Sequence, residues 1–241
     1  MKNLNKNYIA FAAILGLSLV LSFIIASATF YHLRSEDSLT STGSAKQSVT
    51  SDKVKWTSSI SRPVTVSTMS AGYAKMDADL KAVKDFMSAN GIAADSLDIS
   101  PVFMNEVYDQ NYSAEKRYNL LQNITVQSDD VAKIDNLSKN TSSLVTEKGV
   151  LFATNSVEYY YSKLADARVE LLAAAVADAK ARAGQLAVAG GKKIGVLKSA
   201  SSGVVQVMAP NSVEVSDYGS YDTSSIDKEI MVTVKATFGI K

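Results

Sequence analysis

Side chains able to do covalent or metal chemistry are few in this chain, and they are scattered along it. Among 241 residues there is no cysteine and one histidine, His32. Ser225 and Lys228 have the spacing of a Ser–Lys nucleophile, in which a neutral lysine takes the serine proton. A motif this short, without a second supporting motif, arises readily by chance. We therefore predict that the chain is not an enzyme, with a Ser–Lys hydrolase as a remote alternative.

Acidic residues suggest two places for a metal ion, and each has a simpler explanation. A polar loop near Gly219 carries acids whose spacing does not match the twelve-residue calcium loop; they are Glu214, Asp217, Asp222 and Asp227. Residues 128–130, Ser-Asp-Asp, have the composition of a helix start. His32 has no second histidine or any cysteine with which to complete a transition-metal site. We predict no metal site, no cofactor and no catalytic residue.

The overall composition is that of a folded globular protein. Hydrophobic residues make up 46% and charged residues 20% of the chain. The formal net charge is +1, which gives no electrostatic reason to expect a nucleic-acid partner. The glycine motifs that cradle phosphates are also missing from the sequence.

The N-terminal segment, residues 1–34, predicts a membrane anchor. Lys2 and Lys6 precede an apolar run over residues 8–30 that contains no charge, and about 20 residues are enough to span a bilayer. The positive-inside rule then leaves the N-terminus in the cytoplasm and exports the body across the inner, cytoplasmic membrane. The alternative is a signal peptide that is cleaved near Ala28, which would release the body into the periplasm.

Residues 53–161 predict a subdomain of strands and helices. The hydrophobic periodicity changes between the strand and the helical type in the order strand–helix–strand–strand–helix–strand. The corresponding stretches are residues 53–61, 67–90, 97–108, 116–127, 128–149 and 150–161. The apolar stripe of the first helical stretch is Met69, Tyr73, Met76, Leu80, Val83 and Met87. The second helical stretch begins with Ser128 as its N-cap, and its buried side is Val131, Ile134, Leu137, Thr141, Leu144 and Val145. This order is that of an α+β ferredoxin-like plait.

Residues 162–241 predict a second α+β layer built on a long helix. Residues 164–195 are rich in alanine and predict one long helix. Gly190 and Gly191 are its predicted C-cap. Residues 194–208 predict one or two strands, and residues 228–240 a final strand. We expect the last strand to pair with residues 194–208 and with an early strand at 39–49, which follows a tether within residues 35–52.

Tyrosines mark the candidate interaction surface. Residues 159–161 are three tyrosines in series along a strand, so successive rings must face opposite sides and cannot all be in the core. The polar loop adds two more. The candidate residues are Tyr159, Tyr161, Tyr218 and Tyr221. The alternative is that tyrosines line a small-ligand pocket between the plait and the long helix.

Four stretches together resemble the bacterial SIMPL-domain family of exported envelope proteins. They are residues 42–45 (Thr-Gly-Ser-Ala) with Ser51, Asp52 and Trp56; residues 90–92 with Tyr118 and 124–131; residues 178–195; and residues 230–238. The resemblance implies an exported α+β domain that is often oligomeric, with no established catalytic residue and a loose link to envelope stress and integrity. It supports a membrane-anchored, non-enzymatic protein that binds copies of itself or other envelope proteins.

Overall fold

The structure, a computed structural model, describes residues 2–34, 37–108 and 115–241, with the side chains of 2–7 and 31–34 outside the description. The side chain of His32 and residues 35 and 36 of the predicted tether therefore lie outside the described part of the chain. Within the described residues the α-helices are α1 (Lys2–Arg34), α2 (Met69–Ala89), α3 (Val131–Lys139), α4 (Ser142–Thr146) and α5 (Leu164–Ala189). The strands are β1 (Ser38–Thr50), β2 (Lys53–Thr65), β3 (Leu97–Ile99), β4 (Phe103–Val107), β5 (Arg117–Ser128), β6 (Phe152–Tyr160), β7 (Ile194–Ser202), β8 (Gln206–Met208), β9 (Ser220–Tyr221) and β10 (Asp227–Ile240). The predicted α+β class is confirmed.

Helix α1 contains the apolar run that the sequence predicts as a membrane span. Its segment Tyr8–Phe30 is 23 residues long, apolar, and unburied by the rest of the chain. Length and composition are sufficient to cross a membrane, and an N-terminal signal sequence satisfies the same criteria.

The chain divides into two compact units, and the larger comprises Ala45–Leu172 and Val204–Val232. Its main sheet has the antiparallel order β3-β5-β2-β6, with β4 also paired to β5. The buried side chains include Trp56, Ile60, Met76 and Ile124, each 0% exposed. The predicted strand at 97–108 is divided into β3 and β4 around Pro101, which has no N–H to donate to the ladder.

Helix α2 follows the predicted apolar stripe, with one difference. Met76, Val83 and Met87 are fully buried, and the helix stops before Gly91, whose φ of 71° suits a residue without a Cβ. Tyr73, which the stripe includes, is 40% exposed. The buried position of that turn is occupied by Gly72, because a Cβ there would lie 2.3 Å from Val64 Cγ1. The helix thus approaches β2 through a glycine.

The helix predicted over 128–149 is two helices, α3 and α4. Asp130 caps α3, since its Oδ1 accepts a hydrogen bond from the Lys133 N–H at 3.0 Å. Ser128, the predicted cap, instead accepts from the Asp130 N–H at 3.0 Å. The break falls at Asn140, which ends α3, so the single continuous buried stripe is wrong and Val145 is 44% exposed.

The second unit comprises Met1–Ser44, Ala173–Gly203 and Thr233–Lys241. Most of α5 belongs to it, and the predicted cap is confirmed: Gly191 has φ 72° and the Lys192 N–H donates to Ala187 O at 2.8 Å. Strand β1 runs very close to this helix. A Cβ on Gly43 would lie 2.2 Å from Ala175 O and 2.3 Å from the Ala179 nitrogen.

The second sheet is organised around β10. Its order is β1-β10-β8-β9, and β7 also pairs with β10 in antiparallel register, for example Ala236 with Ala200. The pairing predicted for the last strand, with residues 194–208 and with the early strand, is confirmed. Residues 194–208 form two strands, β7 and β8, and Gly203 lies between them.

Candidate functional site

Lys228 is the most unusual ionisable group in the structure, because its side chain is completely buried. Its Nζ donates hydrogen bonds to Asp222 O at 2.5 Å and to Ser225 O at 2.6 Å. Nζ also lies 3.8 Å from Asp222 Oδ2. A lysine that activates serine needs a free lone pair directed at the hydroxyl. Here the amine donates to the backbone carbonyl of Ser225, which is the arrangement of a structural cation.

The charges around Lys228 are balanced locally. Burial lowers the pKa of Lys228, whereas the negative charge of Asp222 raises it. Burial also raises the pKa of Asp222, but hydrogen bonds from Ser224 and Ser225 and the charge of Lys228 outweigh it and lower that pKa to about 2. This pair ties the loop before β10 to its first residues. It is a structural element of the fold.

The remaining loop acids do not converge on a metal site. Asp227 accepts a hydrogen bond from the Thr50 hydroxyl at 2.8 Å, so it joins the two strands β1 and β10. Within residues 2–34, 37–108 and 115–241, no group of three or more histidine, cysteine, aspartate or glutamate side chains is placed to hold a metal ion.

Of the four candidate tyrosines, Tyr159 lies in the core. It is 6% exposed, and its hydroxyl donates to Asp135 Oδ1 at 2.7 Å. Burial and then this hydrogen bond raise the pKa of Tyr159 to about 12. Asp135 also pairs with Lys139 at 2.7 Å, and these two hydrogen bonds lower the pKa of its carboxyl. Tyr159 thus fastens β6 to α3.

The structure brings Tyr161 and Tyr221 together and leaves Tyr218 in solvent. The Tyr221 hydroxyl accepts a hydrogen bond from the Tyr161 N–H at 2.9 Å. The rings of Tyr221 and Tyr160 lie 6.0 Å apart, and Lys228 Nζ is 5.7 Å from the Tyr221 ring centre. Tyr218 is 97% exposed on the loop.

The largest apolar exposure on the main sheet follows its edge strand β4. Phe103, Met104 and Val107 are between 45% and 50% exposed, and Tyr108, the next residue, is 88% exposed. In the described part of the chain, β4 pairs only with β5. The outer backbone groups of β4 are therefore available to another strand. The opposite edge differs, because the Tyr159 N–H of β6 donates to Thr223 O at 2.8 Å.

Comparison with protein families settles the relationship suggested by the sequence. Residues 39–238 match the family model described as SIMPL, protein of unknown function (DUF541). The chain belongs to the SIMPL family. No curated protein matches it significantly. The SIMPL match thus includes residues of both units, from Leu39 in β1 to Phe238 in β10, and the family description names no reaction, ligand or partner.

One ion pair of the SIMPL domain was missed from the sequence. Arg62 of β2 donates from Nε and Nη2 to the two carboxylate oxygens of Asp79 at 2.5 and 2.7 Å, and from Nη2 to Gly149 O at 2.6 Å. The hydrogen bond to Asp79 raises the pKa of Arg62. The signal was available, since Asp79 lies three residues after Met76 and four before Val83 on the buried face of α2. Each polar group is paired within the fold, which indicates a structural role.

A groove of about 540 Å³ lies on the larger unit of the SIMPL domain. Alanines and Phe86 of α2 form one wall, and Leu144 of α4 the other. Its rim carries charges of both signs, from Lys81, Asp85, Glu147 and Lys148. The groove suits an apolar or amphipathic small molecule.

Proposed function

We propose that this SIMPL protein is a membrane-anchored, extracytoplasmic protein that acts by binding copies of itself. The observation that carries the proposal is the apolar edge strand β4, with an exposed aromatic, thioether and branched side chain in one five-residue strand. Such an edge invites pairing with another strand unless charge or a covering segment blocks it. No reaction is proposed, because the ionisable clusters described above serve the fold.

The edge strand is self-complementary in antiparallel pairing. A two-fold axis through Asn105 would set Phe103 opposite Val107 of a second copy, and Met104 opposite Glu106. Aromatic and β-branched side chains opposite each other stabilise antiparallel pairs. Directly opposed like charges are avoided in this register. A two-fold contact is also the commonest symmetry of soluble homo-oligomers.

The only charge on β4 is already compensated within the chain. Glu106 pairs with Lys116 at 3.2 Å, and this hydrogen bond is the main cause that raises the pKa of Lys116. A second copy would therefore meet a neutral ion pair in place of a lone carboxylate, which reduces the cost of bringing two edges together.

The assembly is tested by measuring the mass of the full chain in detergent by analytical ultracentrifugation across a concentration series. We expect a discrete oligomer for the wild type. The double variant Met104→Lys/Val107→Lys places charges on the edge and should dissociate it. Val213→Lys, at a 91% exposed loop position, is the matched control and should remain associated. A monomeric wild type, or an edge variant as large as the wild type, would refute the proposal.

The membrane anchor is supported by the apolar segment of α1 and by the two lysines that precede this segment. The apolar segment Tyr8–Phe30 is 23 residues long, and Lys2 and Lys6 favour a cytoplasmic N-terminus with the SIMPL domain in the periplasm. The intact mass of protein isolated from membranes distinguishes this from cleavage near Ala28. An uncleaved chain retained in the membrane supports the anchor. A product beginning after Ala28 would instead place the domain free in the periplasm.

Binding of other envelope components is the other form of the same proposal. Tyr218 is 97% exposed and Tyr221 is 37% exposed, and the Tyr221 hydroxyl accepts a hydrogen bond from the Tyr161 N–H. Aromatic residues are enriched in protein interfaces. Crosslinking from a photoreactive residue at position 218 in cells tests this surface, with position 196 as a control. A partner captured only from position 218 would connect the protein to envelope integrity.

Small-ligand binding is a second candidate, favoured by the groove between α2 and α4. Ligand binding to the folded state raises the melting temperature, and the size of the increase depends on the ratio of the free ligand concentration to Kd. A thermal-shift screen with amphipathic small molecules tests this. Ala78→Trp, which fills the groove from an exposed position, should abolish a specific shift. A shift that survives this substitution would place the ligand elsewhere.

A further inference from the structure

Asp37, three positions after the end of α1, is bonded directly into the smaller unit. Asp37 is the first described residue after α1, and its carbonyl accepts a hydrogen bond from the Ile240 N–H at 3.1 Å. Strand β1 begins at the next residue, Ser38. The end of the anchor is therefore connected to the sheet without a long tether.

Lysines surround Asp37. Lys192 forms a hydrogen-bonded ion pair with the Asp37 carboxylate. The pKa of Asp37 is lowered, first by this hydrogen bond, then by the charge of Lys192 and by that of Lys198. Lys193 and Lys241 lie beside each other, because each donates its N–H to the carbonyl of the other, at 2.8 and 2.9 Å. Among the described residues, four lysines (Lys192, Lys193, Lys198 and Lys241) and the carboxylate of Asp37 gather on this surface, so lysines outnumber acidic side chains there.

Exposed aliphatic side chains lie among these lysines. Val196 is 75% exposed, and it lines a recess of about 320 Å³ together with Asp37, Lys198 and Lys241. Val196 and Lys198 are two residues apart on β7, so they share one face of the strand. Val188, near the end of α5, is 72% exposed. Basic and aliphatic side chains side by side are the composition of surfaces that rest on lipid headgroups.

Chain length keeps this surface near the membrane. The span ends at Phe30, α1 continues to Arg34, and Asp37 follows three residues later. Four helical residues rise about 6 Å, and three extended steps add at most about 11 Å. The headgroup layer extends roughly 5–8 Å beyond the hydrocarbon. Asp37 is thus held within about 10 Å of the headgroups, comparable to the Debye length of about 8 Å at physiological salt.

We propose that this surface, formed by Lys192, Lys193, Lys198 and Val196, docks on anionic phospholipid headgroups of the membrane that holds the anchor. The proposal rests on the anchoring proposed above and names the surface through which the SIMPL domain meets that membrane. The lysines supply attraction to phosphate, and Val196 enters the headgroup layer. Docking would restrict the orientation of the SIMPL domain relative to the membrane.

The absence of cysteine makes a direct test simple. The full chain with Val196→Cys carries one fluorophore and is reconstituted in vesicles of phosphatidylcholine with or without 30 mol% phosphatidylglycerol. Quenching is measured with a headgroup-attached nitroxide lipid and with aqueous iodide. Val213→Cys, 91% exposed in the larger unit, is the matched control. The variant Lys192→Gln/Lys193→Gln/Lys198→Gln removes the charge, and the corresponding arginine variant keeps it.

We expect nitroxide quenching and iodide protection at position 196 in phosphatidylglycerol vesicles, and neither at position 213. High salt and the glutamine variant should remove the effect, with about fivefold weaker docking per lysine, and the arginine variant should retain it. The protein could float with the vesicles and yet show equal quenching with and without phosphatidylglycerol, or equal quenching in the wild type and the glutamine variant. Either result would overturn docking and leave the anchor intact. Protein that does not float overturns the anchor, and docking with it.

Discussion

The close approach of β1 to α5 gives the sharpest test of the fold. Gly43 is part of the Thr-Gly-Ser-Ala segment at residues 42–45, and Gly43→Ala adds one methyl group. Its Cβ would lie 2.2 Å from Ala175 O and 2.3 Å from the Ala179 nitrogen, whereas real Cβ atoms essentially never come under 3.0 Å of a neighbour. Both clashing atoms are helix backbone, so no side-chain rotation relieves the overlap.

The expected cost follows from the movement required. The strand must retreat by almost 1 Å to restore about 3.0 Å of separation. Overpacking of a tight core costs about 1–3 kcal/mol, and an immovable backbone places this case at the upper end, about 3 kcal/mol. The same retreat stretches the hydrogen bond from the Ser44 N–H to Asp178 Oδ2, now 2.9 Å. A loss of about 3 kcal/mol lowers the melting temperature of a chain of this size by roughly 6–12 °C.

Gly184→Ala is the matched control, because it adds the same methyl group to α5, the helix that Gly43 approaches. A Cβ at Gly184 meets only Ile194 Cγ2, at 3.9 Å, which is ordinary contact. Alanine in a helix interior stabilises by about 0.5–1 kcal/mol over glycine, so this variant should gain stability. Urea unfolding followed by helical circular dichroism measures both. A Gly43→Ala loss below about 1 kcal/mol would refute the close approach, as would a loss in both variants.

Further predictions concern ionisable groups of the larger unit. The folded-state pKa of Asp222 is lowered to about 2, so its contribution of about 2 kcal/mol is present above pH ~4 and lost as pH falls towards 2; Asp222→Asn should flatten that part of an acid-unfolding curve. Asp79→Ala leaves the half-buried guanidinium of Arg62 without its partner and should cost about 3 kcal/mol. Arg62→Met/Asp79→Leu should recover most of this loss, as read from the fluorescence of the single tryptophan during urea unfolding. Equal losses in both variants would contradict a pairing role. The pKa of Tyr159 is raised to about 12, so its stabilisation is present below pH ~10 and lost as pH rises through 12; ultraviolet titration should show one late-ionising tyrosine that is missing in Tyr159→Phe. Ionisation of every tyrosine below pH ~11 would contradict its burial.

Local signals in the sequence were sufficient for most of the elements. The alanine-rich run predicts α5, and its end follows from Gly191, which needs a positive φ. Strict alternation predicts β10, in which residues facing the core, such as Ile230 and Val232, are 0% exposed. These features depend on residues close in the chain, so a local pattern contains the information.

Errors occurred where distant residues decide the local outcome. Periodicity alone put Tyr73 in the stripe of α2, but the close approach to Val64 admits only Gly72 at that turn. Tyr159 was assigned to the surface candidates because adjacent strand residues face opposite sides, and which side is the core depends on α3 and Asp135. The pairing of Asp79 with Arg62 joins residues seventeen apart, which no helical pattern encodes.

The sequence by itself determined that the chain has an apolar N-terminal segment able to span a membrane and an α+β body. These follow from composition, periodicity and caps, each of which acts within a few residues. Only the tertiary structure decided which strand edge of the described sheet is unpaired, which tyrosines are buried, and that Lys192, Lys198 and Lys241 meet beside Asp37. Exposure and charge clustering are properties of surfaces assembled from distant segments, so they exist only once the chain has folded.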